Sequence, residues 1–363
     1  MEKQGILNIT RKTAILVVLA CATSLFSCQD EIFYEINKEV KLTDSYLGGD
    51  INSITRLGDF LYLQNGKVYF KEAKSSSDTG ITDGGWVKYP YQPRGIISNI
   101  VSDGSYLYVM ATEWTDDDHY GADGYEIEAS RTIYCSKGFD DDGLPTGWSV
   151  VATGTSTLPN VGDSADTYAV SRIFCNNARK ADGTQDKGNA HAFARLYDAS
   201  SGWGIYKLNG QDTPELQADV SPNVCAAAYS GEDVFTTQPC IVADSEGNLY
   251  TPTAETDINS TGVDSNVLSL GVAGNYIIAG TTQGIKRYDK STMAEVAFTN
   301  NASSTLSSYY EVPVVYVLDP SAPDDTKTDI YASLNYEGNS SNALQNHRCL
   351  WAYYPRRGSW NRD

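Results

Sequence analysis

The stretch GGDINSITRLGDFLYLQNGKVYFKEA, from Gly48 to Ala73, decides the fold class. Apolar and polar residues alternate on both sides of Asn65-Gly66, which is the pattern of two half-buried strands. An Asn-Gly pair allows the positive φ angles of a type I′ turn, and such turns join neighbouring antiparallel strands. The stretch therefore predicts a β-hairpin.

Variants of this unit recur along the rest of the chain. Each contains a small residue, any residue and then an aromatic residue in a short strand, as in GKVYF, TIYCS, GIYKL and GNLYT. The further units cover Ile97–Gly138, Tyr168–Gly210, 239–253, Val267–Asp289 and the closing segments PVVYVLDP, DIYASLNYEG and RCLWAYYP. Groups of four short strands, repeating every ~40 to 55 residues, are typical of a β-propeller.

The predicted fold is thus all-β, a β-propeller of six or seven four-stranded blades over residues 48–363. Each blade has two apolar faces and needs a neighbour on both, so the ring has to close. Residues 28–47 would form a tether and a closing strand, with EIFYEINKEVKL (31–42) or the strand after it pairing beside GSWNRD (358–363). The alternative architecture is a pair of tandem β-sandwiches, which also consist of short, evenly spaced strands.

The first 27 residues have the features of a processing segment. Lys3, Arg11 and Lys12 precede the apolar run TAILVVLACATSLF, which has the length of a signal-peptide core rather than of a membrane span. The run leads into Leu25-Phe26-Ser27-Cys28, which resembles the lipobox of bacterial lipoproteins. The resemblance implies cleavage before Cys28, acylation of this cysteine and anchoring in the cell envelope, most simply in the outer membrane. The alternative is a secretory signal in which Cys28 is incidental.

The chain is strongly acidic, with 46 Asp and Glu against 27 Lys and Arg and a net charge of −19. Removal of residues 1–27 would make it more acidic by two charges, because this segment carries more basic than acidic residues. Such a chain repels phosphate backbones, so nucleic acid is excluded as the expected partner.

Five cysteines follow Cys28, and no pair has C-x-x-C spacing: Cys135, Cys175, Cys225, Cys240 and Cys349. Most of them stand beside aromatic or branched residues, where cysteine packs as a small buried hydrophobe. We therefore predict buried strand cysteines rather than metal ligands. A Cys225–Cys240 disulfide stays open as an alternative in an oxidising compartment.

The sequence favours no cofactor. The three histidines, His119, His191 and His347, fall in predicted loops without metal-binding spacing, and Gly162-Asp163-Ser164 lacks the partners of a serine hydrolase. Calcium is the one metal considered, because it binds several carboxylate oxygens. Its candidate ligands are Asp116, Asp118 and Asp123 in the insertion ATEWTDDDHYGADGYEIEAS, and the alternative is a solvated acidic loop.

The stretch IYCSKGFDDDGLPTGWSV (133–150) resembles the Asp-box of sialidase-like propellers, which joins two outer strands of a blade. The Asp-box has a structural role and implies no sialidase activity. The resemblance implies that Tyr134 and Trp148 are packing anchors and that Cys135 is buried. Asp140–Asp142 would be turn residues that face water.

Long loops rich in aromatic and polar residues suit recognition, because aromatic rings stack on sugars and polar groups bind hydroxyls. The expected function is a membrane-anchored, non-catalytic binding module for a glycan or protein ligand, with Trp114, Tyr120, Tyr125 and Trp203 as candidate contacts. Two alternatives stay open. One is a scaffold in an envelope protein complex, and the other is a glycan-active hydrolase or lyase that uses two carboxylates.

Overall fold

The structure is a computed structural model. It describes residues 47–75, 85–114, 128–155, 167–175, 190–198, 202–217, 226–228, 241–243, 249–252, 258–260, 267–292, 294–298, 302, 306, 310–335 and 348–363. The chain divides into two units, 1–45 and 46–363, and the described residues all belong to the second. The signal segment 1–27, Cys28 and the strand predicted at 31–42 lie outside the described residues.

The described residues form 23 strands in five sheets, which confirms the all-β class. The first sheet contains β1 (Ile54–Leu57), β2 (Phe60–Gln64), β3 (Val68–Glu72) and β4 (Val87–Lys88). The second contains β5 (Ile96–Ser102), β6 (Leu107–Trp114), β7 (Glu128–Phe139), β8 (Pro145–Thr155), β9 (Thr167–Cys175), β10 (Ala192–Asp198), β11 (Gly202–Leu208) and β12 (Glu215–Gln217).

The remaining sheets follow in chain order. The third contains β13 (Ala226–Ala228), β14 (Ile241–Ala243), β15 (Leu249–Pro252) and β16 (Ile258–Ser260). The fourth contains β17 (Val267–Ala273), β18 (Tyr276–Thr281) and β19 (Gly284–Asp289). The fifth contains β20 (Glu311–Val317), β21 (Ile330–Asn335), β22 (Leu350–Tyr354) and β23 (Ser359–Arg362).

The fold is a β-propeller built from four-stranded antiparallel groups, but it has five blades, so the prediction of six or seven is wrong. The second blade is eight strands wide because β8 pairs with β9 in parallel, at Thr153–Thr155 and Thr167–Ala169. This pair joins two antiparallel groups, β5–β8 and β9–β12, into one double sheet.

The first strand of each group lies on the inside of the ring. In sequence order, β1 contacts β5, β5 contacts β9, β9 contacts β13, β13 contacts β17, β17 contacts β20, and β20 returns to β1. The double sheet contributes two of these inner strands, β5 and β9. The cycle closes, so the alternative of two tandem sandwiches is wrong.

Several inner strands carry a β-bulge, which in β5 and β17 lies near the start of the strand and in β9 at its middle. Ser98 is the unpaired residue in β5, Ser171 in β9 and Leu268 in β17, since their neighbours pair with consecutive residues of the next strand. A bulge increases local twist and re-aims side chains, and bulges are common beside functional sites. The bulges therefore direct attention to the edge of the ring where the inner strands begin.

Hydrogen bonds from polar side chains connect successive inner strands of the ring. The Ser53 hydroxyl accepts a hydrogen bond from the Ile100 N–H at 2.7 Å, and Asn99 Nδ2 donates to the Ile173 carbonyl at 3.1 Å. Below them, apolar side chains fill the spaces between sheets. One such cluster contains Leu61, Leu63, Tyr316 and Tyr331, and joins the first sheet to the fifth.

The β7–β8 hairpin has the features predicted for residues 133–150. Asp140 Oδ1 accepts hydrogen bonds from the Asp142 N–H at 3.1 Å and the Leu144 N–H at 2.8 Å, while residues 140–142 face water. Cys135 is fully buried, and Trp148 packs edge-to-face on Tyr89 at 6.4 Å between ring centroids. These predictions are confirmed.

The described cysteines behave as buried hydrophobes. Cys135, Cys175 and Cys349 are buried and form no disulfide. Burial raises the pKa of Cys135 and of Cys349 to about 12, so these thiols stay protonated at neutral pH. Cys225 and Cys240 lie outside the described residues.

Candidate functional site

The edge at which the inner strands begin is the candidate site, and we call it the mouth edge. In the β5–β8 half, Ile96 begins β5 opposite Thr112, and Trp114 ends β6 opposite Glu128. In the β9–β12 half, β10 ends at Asp198 opposite Gly202, which begins β11. Strand register therefore brings several chain reversals to one edge, and chain reversals on a rigid scaffold are where binding residues concentrate.

Four residues at this edge, which we call the mouth patch, stand before or within β5 and β6: Arg94, Ile96, Glu113 and Trp114. Ile96 is 51% and Trp114 is 42% exposed, although both are large apolar side chains. Arg94 Nε lies 3.1 Å from Glu113 Oε2, and its side chain is 82% exposed. The patch therefore presents an aromatic ring, an aliphatic side chain and one ion pair to solvent.

The backbone of Gly95 fixes the patch. Its φ of +92° is in the region that favours glycine, and a Cβ at this position would lie 2.8 Å from the Thr112 carbonyl oxygen. Lys67 Nζ donates to the Gly95 carbonyl at 3.2 Å. The chain is thus held close to β6, and this contact sets Arg94 beside Glu113.

Tyr134 lies behind the ion pair. Burial raises the pKa of Tyr134, and the Glu113 carboxylate raises it further. The phenol therefore remains a neutral donor or acceptor at neutral pH. Behind the exposed ion pair there is accordingly a neutral, half-buried group.

Trp203 also lies at the mouth edge, but it is half-buried and packs against the protein itself. The guanidinium carbon of Arg195 is 4.5 Å from the ring centroid, and the Tyr197 ring is 5.6 Å away. A cation over the indole face stabilises the folded chain and occupies the face that would stack on a ligand. Trp203 is therefore a poorer ligand contact than Trp114.

The predicted contacts do not all meet. Trp114 and Trp203 lie in different halves of the double sheet, with β7 to β10 between their strands. Tyr120 and Tyr125 lie outside the described residues, in the segment that connects β6 to β7.

The calcium candidates Asp116, Asp118 and Asp123 belong to the same connecting segment and also lie outside the described residues. Among the residues that the structure describes, no three His, Cys, Asp or Glu side chains are grouped as metal ligands. No helix within the described ranges is long and apolar enough to cross a membrane.

Sequence reasoning missed three members of the mouth patch: Arg94, Ile96 and Glu113. The available signal was weak, since an isoleucine at a strand start is usually buried. The exposure of Ile96 follows from the bulge at Ser98 and from the close approach of Gly95 to β6. Neither can be read from the sequence PRGIISN alone.

His191 precedes β10, and it is half-buried beside Phe193, with ring centroids 6.3 Å apart. Burial lowers the pKa of His191 to about 4, and Lys207 contributes to the shift. The imidazole is therefore neutral at pH 7 and packs against an aromatic ring of the protein.

The chain matches no protein-family model and no curated protein sequence. Solved structures with a similar chain path include YCF48 from Cyanidioschyzon merolae, at 11% identity and a TM-score of 0.40 over 85% of this chain and 83% of that one. The calcium-binding protein regucalcin from Agrobacterium tumefaciens is 10% identical, with a TM-score of 0.44 over 85% and 91% of the two chains.

The PQQ-bound aldose sugar dehydrogenase from Streptomyces coelicolor is also similar in chain path. It is 12% identical, with a TM-score of 0.44 over 85% of this chain and 96% of that one. At such identities and TM-scores these likenesses carry no argument about ligand or activity. The assignment of the fold rests on the order of the sheets and on the closed cycle of inner strands.

Proposed function

We propose that the protein is a lipid-anchored, non-catalytic binding module of the bacterial cell envelope. Cys28 would carry the anchor, residues 28–47 would act as a tether, and the mouth edge would bind a glycan ligand. The observation that supports this proposal is the mouth patch, where Trp114 and Ile96 are exposed on the strand pair whose edge also carries the Arg94–Glu113 ion pair.

The chemistry of the patch suits a sugar. An indole ring offers an apolar face for stacking on the axial hydrogens of a pyranose and an N–H for a hydroxyl. Arg94 offers several donors and Glu113 offers acceptors, which is the mixture that fixes the orientation of a polyhydroxylated ligand. Exposed apolar groups rimmed by charges are typical of interaction sites on soluble domains.

Charge narrows the ligand class further. The net charge of −19 disfavours uronates, sialic acids and other anionic sugars through long-range repulsion. A neutral glycan is therefore the preferred ligand. A calcium ion at Asp116, Asp118 and Asp123 stays a prediction and has no part in the proposed contact.

A glycan array tests this function. The probe is the chain from residue 28 onward with Cys28→Ala, compared with the same chain carrying Trp114→Ala. We expect the wild-type patch to bind neutral glycans and Trp114→Ala to lose at least about fivefold in affinity, since stacking on an aromatic ring contributes about 1 kcal/mol or more. Val150→Ala is the matched control, because Val150 is 56% exposed but lies in the middle of β8. Absence of binding to every glycan, or equal loss in both variants, would contradict the proposal.

The anchor is tested separately by metabolic labelling with a palmitate analogue. We expect the label on the wild-type chain and none on Cys28→Ala. Label that persists in the variant would show that acylation, if present, lies elsewhere.

A second function, a scaffold in an envelope complex, is favoured by a different observation. The fourth strands of three groups each expose an apolar side chain: Val87 in β4, Val150 in β8 and Leu216 in β12, at 56%, 56% and 43%. Exposed apolar residues on outer strands suit a protein partner. Cross-linking in whole cells with a photoreactive residue at position 150 tests this role, and we expect a discrete adduct there and none from exposed Asp141.

A further inference from the structure

The side chain of Asp363 occupies a built site between the fifth and first sheets. It is fully buried, and its Oδ2 accepts hydrogen bonds from Lys71 Nζ at 2.9 Å and Trp86 Nε1 at 3.0 Å. Its Oδ1 accepts from the Tyr354 hydroxyl at 2.5 Å. One carboxyl group thus accepts hydrogen bonds from an amine, an indole N–H and a phenol.

Aromatic rings enclose the amine of Lys71. Nζ lies 4.5 Å from the ring centroid of Tyr331 and 4.8 Å from that of Trp86, and the Lys71 side chain is only 10% exposed. Two opposite charges in so dry a place incur a large desolvation cost. Condensation requires the neutral amine and the protonated carboxyl group, which are related to the ion pair by transfer of one proton within it.

We propose that Lys71 and Asp363 are joined by an isopeptide bond, a covalent closure of the propeller ring. The Nζ–Oδ2 contact of 2.9 Å holds the amine against the carboxyl group whose carbon it would attack. Groups held together in a fixed orientation have lost most of the entropy that a bimolecular reaction must lose.

The reaction is a condensation that needs no oxidant or cofactor. The neutral amine of Lys71 attacks Cγ of the protonated Asp363 carboxyl, so that the Nζ–Cγ bond forms and a tetrahedral centre results. The Cγ–Oδ1 bond then breaks. Oδ1 departs as water with the carboxyl proton and one proton from Nζ, and the second amine proton stays on the new amide nitrogen.

Two neighbouring groups have roles in this step. The Trp86 N–H donates to Oδ2, which carries negative charge in the tetrahedral intermediate, so it acts like one donor of an oxyanion hole. The Tyr354 hydroxyl donates to the departing oxygen and can pass on the proton released from Nζ. Burial raises the pKa of Tyr354 well above its usual range, with Tyr331 and Asp363 adding to the shift, so this hydroxyl is protonated at neutral pH.

The bond would join the first and fifth sheets, at the point where the ring closes. The ring is otherwise closed here by non-covalent contacts, such as the hydrogen bonds from the Leu47 N–H to the Asp363 carbonyl at 2.8 Å and from the Leu350 N–H to the Leu47 carbonyl at 2.9 Å. A bond from β3 to the residue after β23 would hold the fifth sheet against the first when these contacts open. This inference does not depend on the proposed ligand or anchor.

Peptide mass spectrometry of the full chain, purified under native conditions and digested with a protease that cleaves only after lysine, tests the proposal, because the last lysine before Asp363 is Lys327. We expect a branched peptide that joins the segment around Lys71 to the segment around Asp363, with a mass lower than the sum of its parts by one water molecule. Lys71→Met and Asp363→Ala should both abolish it. Tyr354→Phe should slow its formation after refolding at least tenfold, a kinetic effect that a merely structural hydroxyl would not have.

The chain offers a matched control in Lys286 and Glu295, an ion pair at 3.4 Å with a 58% exposed carboxylate. No branched peptide is expected there, because water solvates both charges. Circular dichroism of Lys71→Met establishes whether this variant folds. If it does not fold, the wild-type digest alone tests whether the isopeptide bond is present. Linear peptides alone in the wild-type digest, with both segments detected at full mass, would overturn the proposal.

Discussion

Two Gly-Trp dipeptides, Gly85-Trp86 and Gly147-Trp148, look alike in the sequence but serve different junctions. Trp86 donates its indole N–H to the buried carboxylate of Asp363, while Trp148 donates to the backbone carbonyl of Tyr91 at 2.7 Å. We call the first the closing junction, formed by Lys71, Trp86, Tyr354 and Asp363. The second is the aromatic junction between the first and second sheets, formed by Phe70, Tyr89, Tyr91 and Trp148.

The two junctions differ in how far apart in sequence their partners stand. Trp148 and Tyr91 are 57 residues apart, whereas Lys71 and Asp363 are 292 residues apart. The longer loop loses more conformational entropy on closure, although the cost grows only slowly with length. The local junction combines aromatic packing with hydrogen bonds to neutral carbonyls, while in the distant one the hydrogen bonds converge on one buried side chain. Directional polar contacts define one alignment of the last blade against the first.

Alkali is expected to have the largest effect, because it acts on both junctions at once. Burial raises the pKa of Tyr89 and of Tyr354 above the usual tyrosine range. Their contribution to stability is complete below the unfolded-state pKa of about 10 and is lost as the pH rises above it. We expect tyrosinate absorbance and loss of circular dichroism to rise together above that pH. Titration of these phenols in a chain that keeps its circular dichroism would contradict this linkage.

Lys71→Met is expected to cause the next largest loss of stability, and it changes the closing junction without changing the aromatic junction. The substitution removes the amine that faces the buried Asp363 carboxyl group, together with the proposed bond between them, and breaking such a buried pair costs at least about 3–5 kcal/mol of unfolding free energy. Urea unfolding at pH 7 measures this loss. Lys286→Met is the control, since its exposed partner predicts about 0–1 kcal/mol. Equal losses in the two variants would mean that the closing junction is not a desolvated site.

The two hairpins and the packing role of Trp148 could be predicted from sequence, because their signals are local. Asn65-Gly66 marked the turn between β2 and β3, where Gly66 has a φ of +65°. The Asp-box resemblance located the β7–β8 hairpin and the packing of Trp148. Such signals need only the residues of one or two adjacent strands.

The number of blades could not be predicted in the same way. It depends on the parallel pairing of Thr153–Thr155 with Thr167–Ala169, and parallel pairing leaves no turn signature in the sequence. The Lys71–Asp363 contact was missed for a related reason, because nothing local marks a partner 292 residues away. The candidate site was found in part: Trp114 followed from composition, while its neighbours Arg94 and Ile96 depend on a bulge and on a close backbone approach.

Replacement of each tryptophan by phenylalanine compares the junctions directly. Trp86→Phe leaves a fully buried Asp363 side-chain oxygen short of one donor, which costs about 1–3 kcal/mol, whereas Trp148→Phe removes a hydrogen bond to an exposed carbonyl, which contributes about 0.5–1.5 kcal/mol. We expect the order Trp86→Phe above Trp148→Phe in loss of unfolding free energy, measured by urea unfolding. The reverse order would show that ring packing, and not the indole N–H, dominates at the closing junction.

Asp140→Ala is expected to cause the smallest loss of stability. It tests the aromatic junction through the β7–β8 turn, which contacts Tyr89. Asp140 holds the β7–β8 turn through the Asp142 and Leu144 N–H groups, and the Pro145 carbonyl, which follows this turn, accepts a hydrogen bond from the Tyr89 hydroxyl. Because the turn is exposed, water replaces most of what Asp140 supplies, and the loss should be about 0.5 kcal/mol. Tyr89 should nevertheless become more mobile, since its acceptor is no longer fixed, and hydrogen exchange at β4 and β8 should rise.

Asp141→Ala is the control, an exposed neighbour in the same turn. Increased exchange in β22 and β23 as well would mean that the two junctions are coupled around the ring, whereas an increase confined to β4 and β8 would establish that each junction stabilises its own pair of sheets.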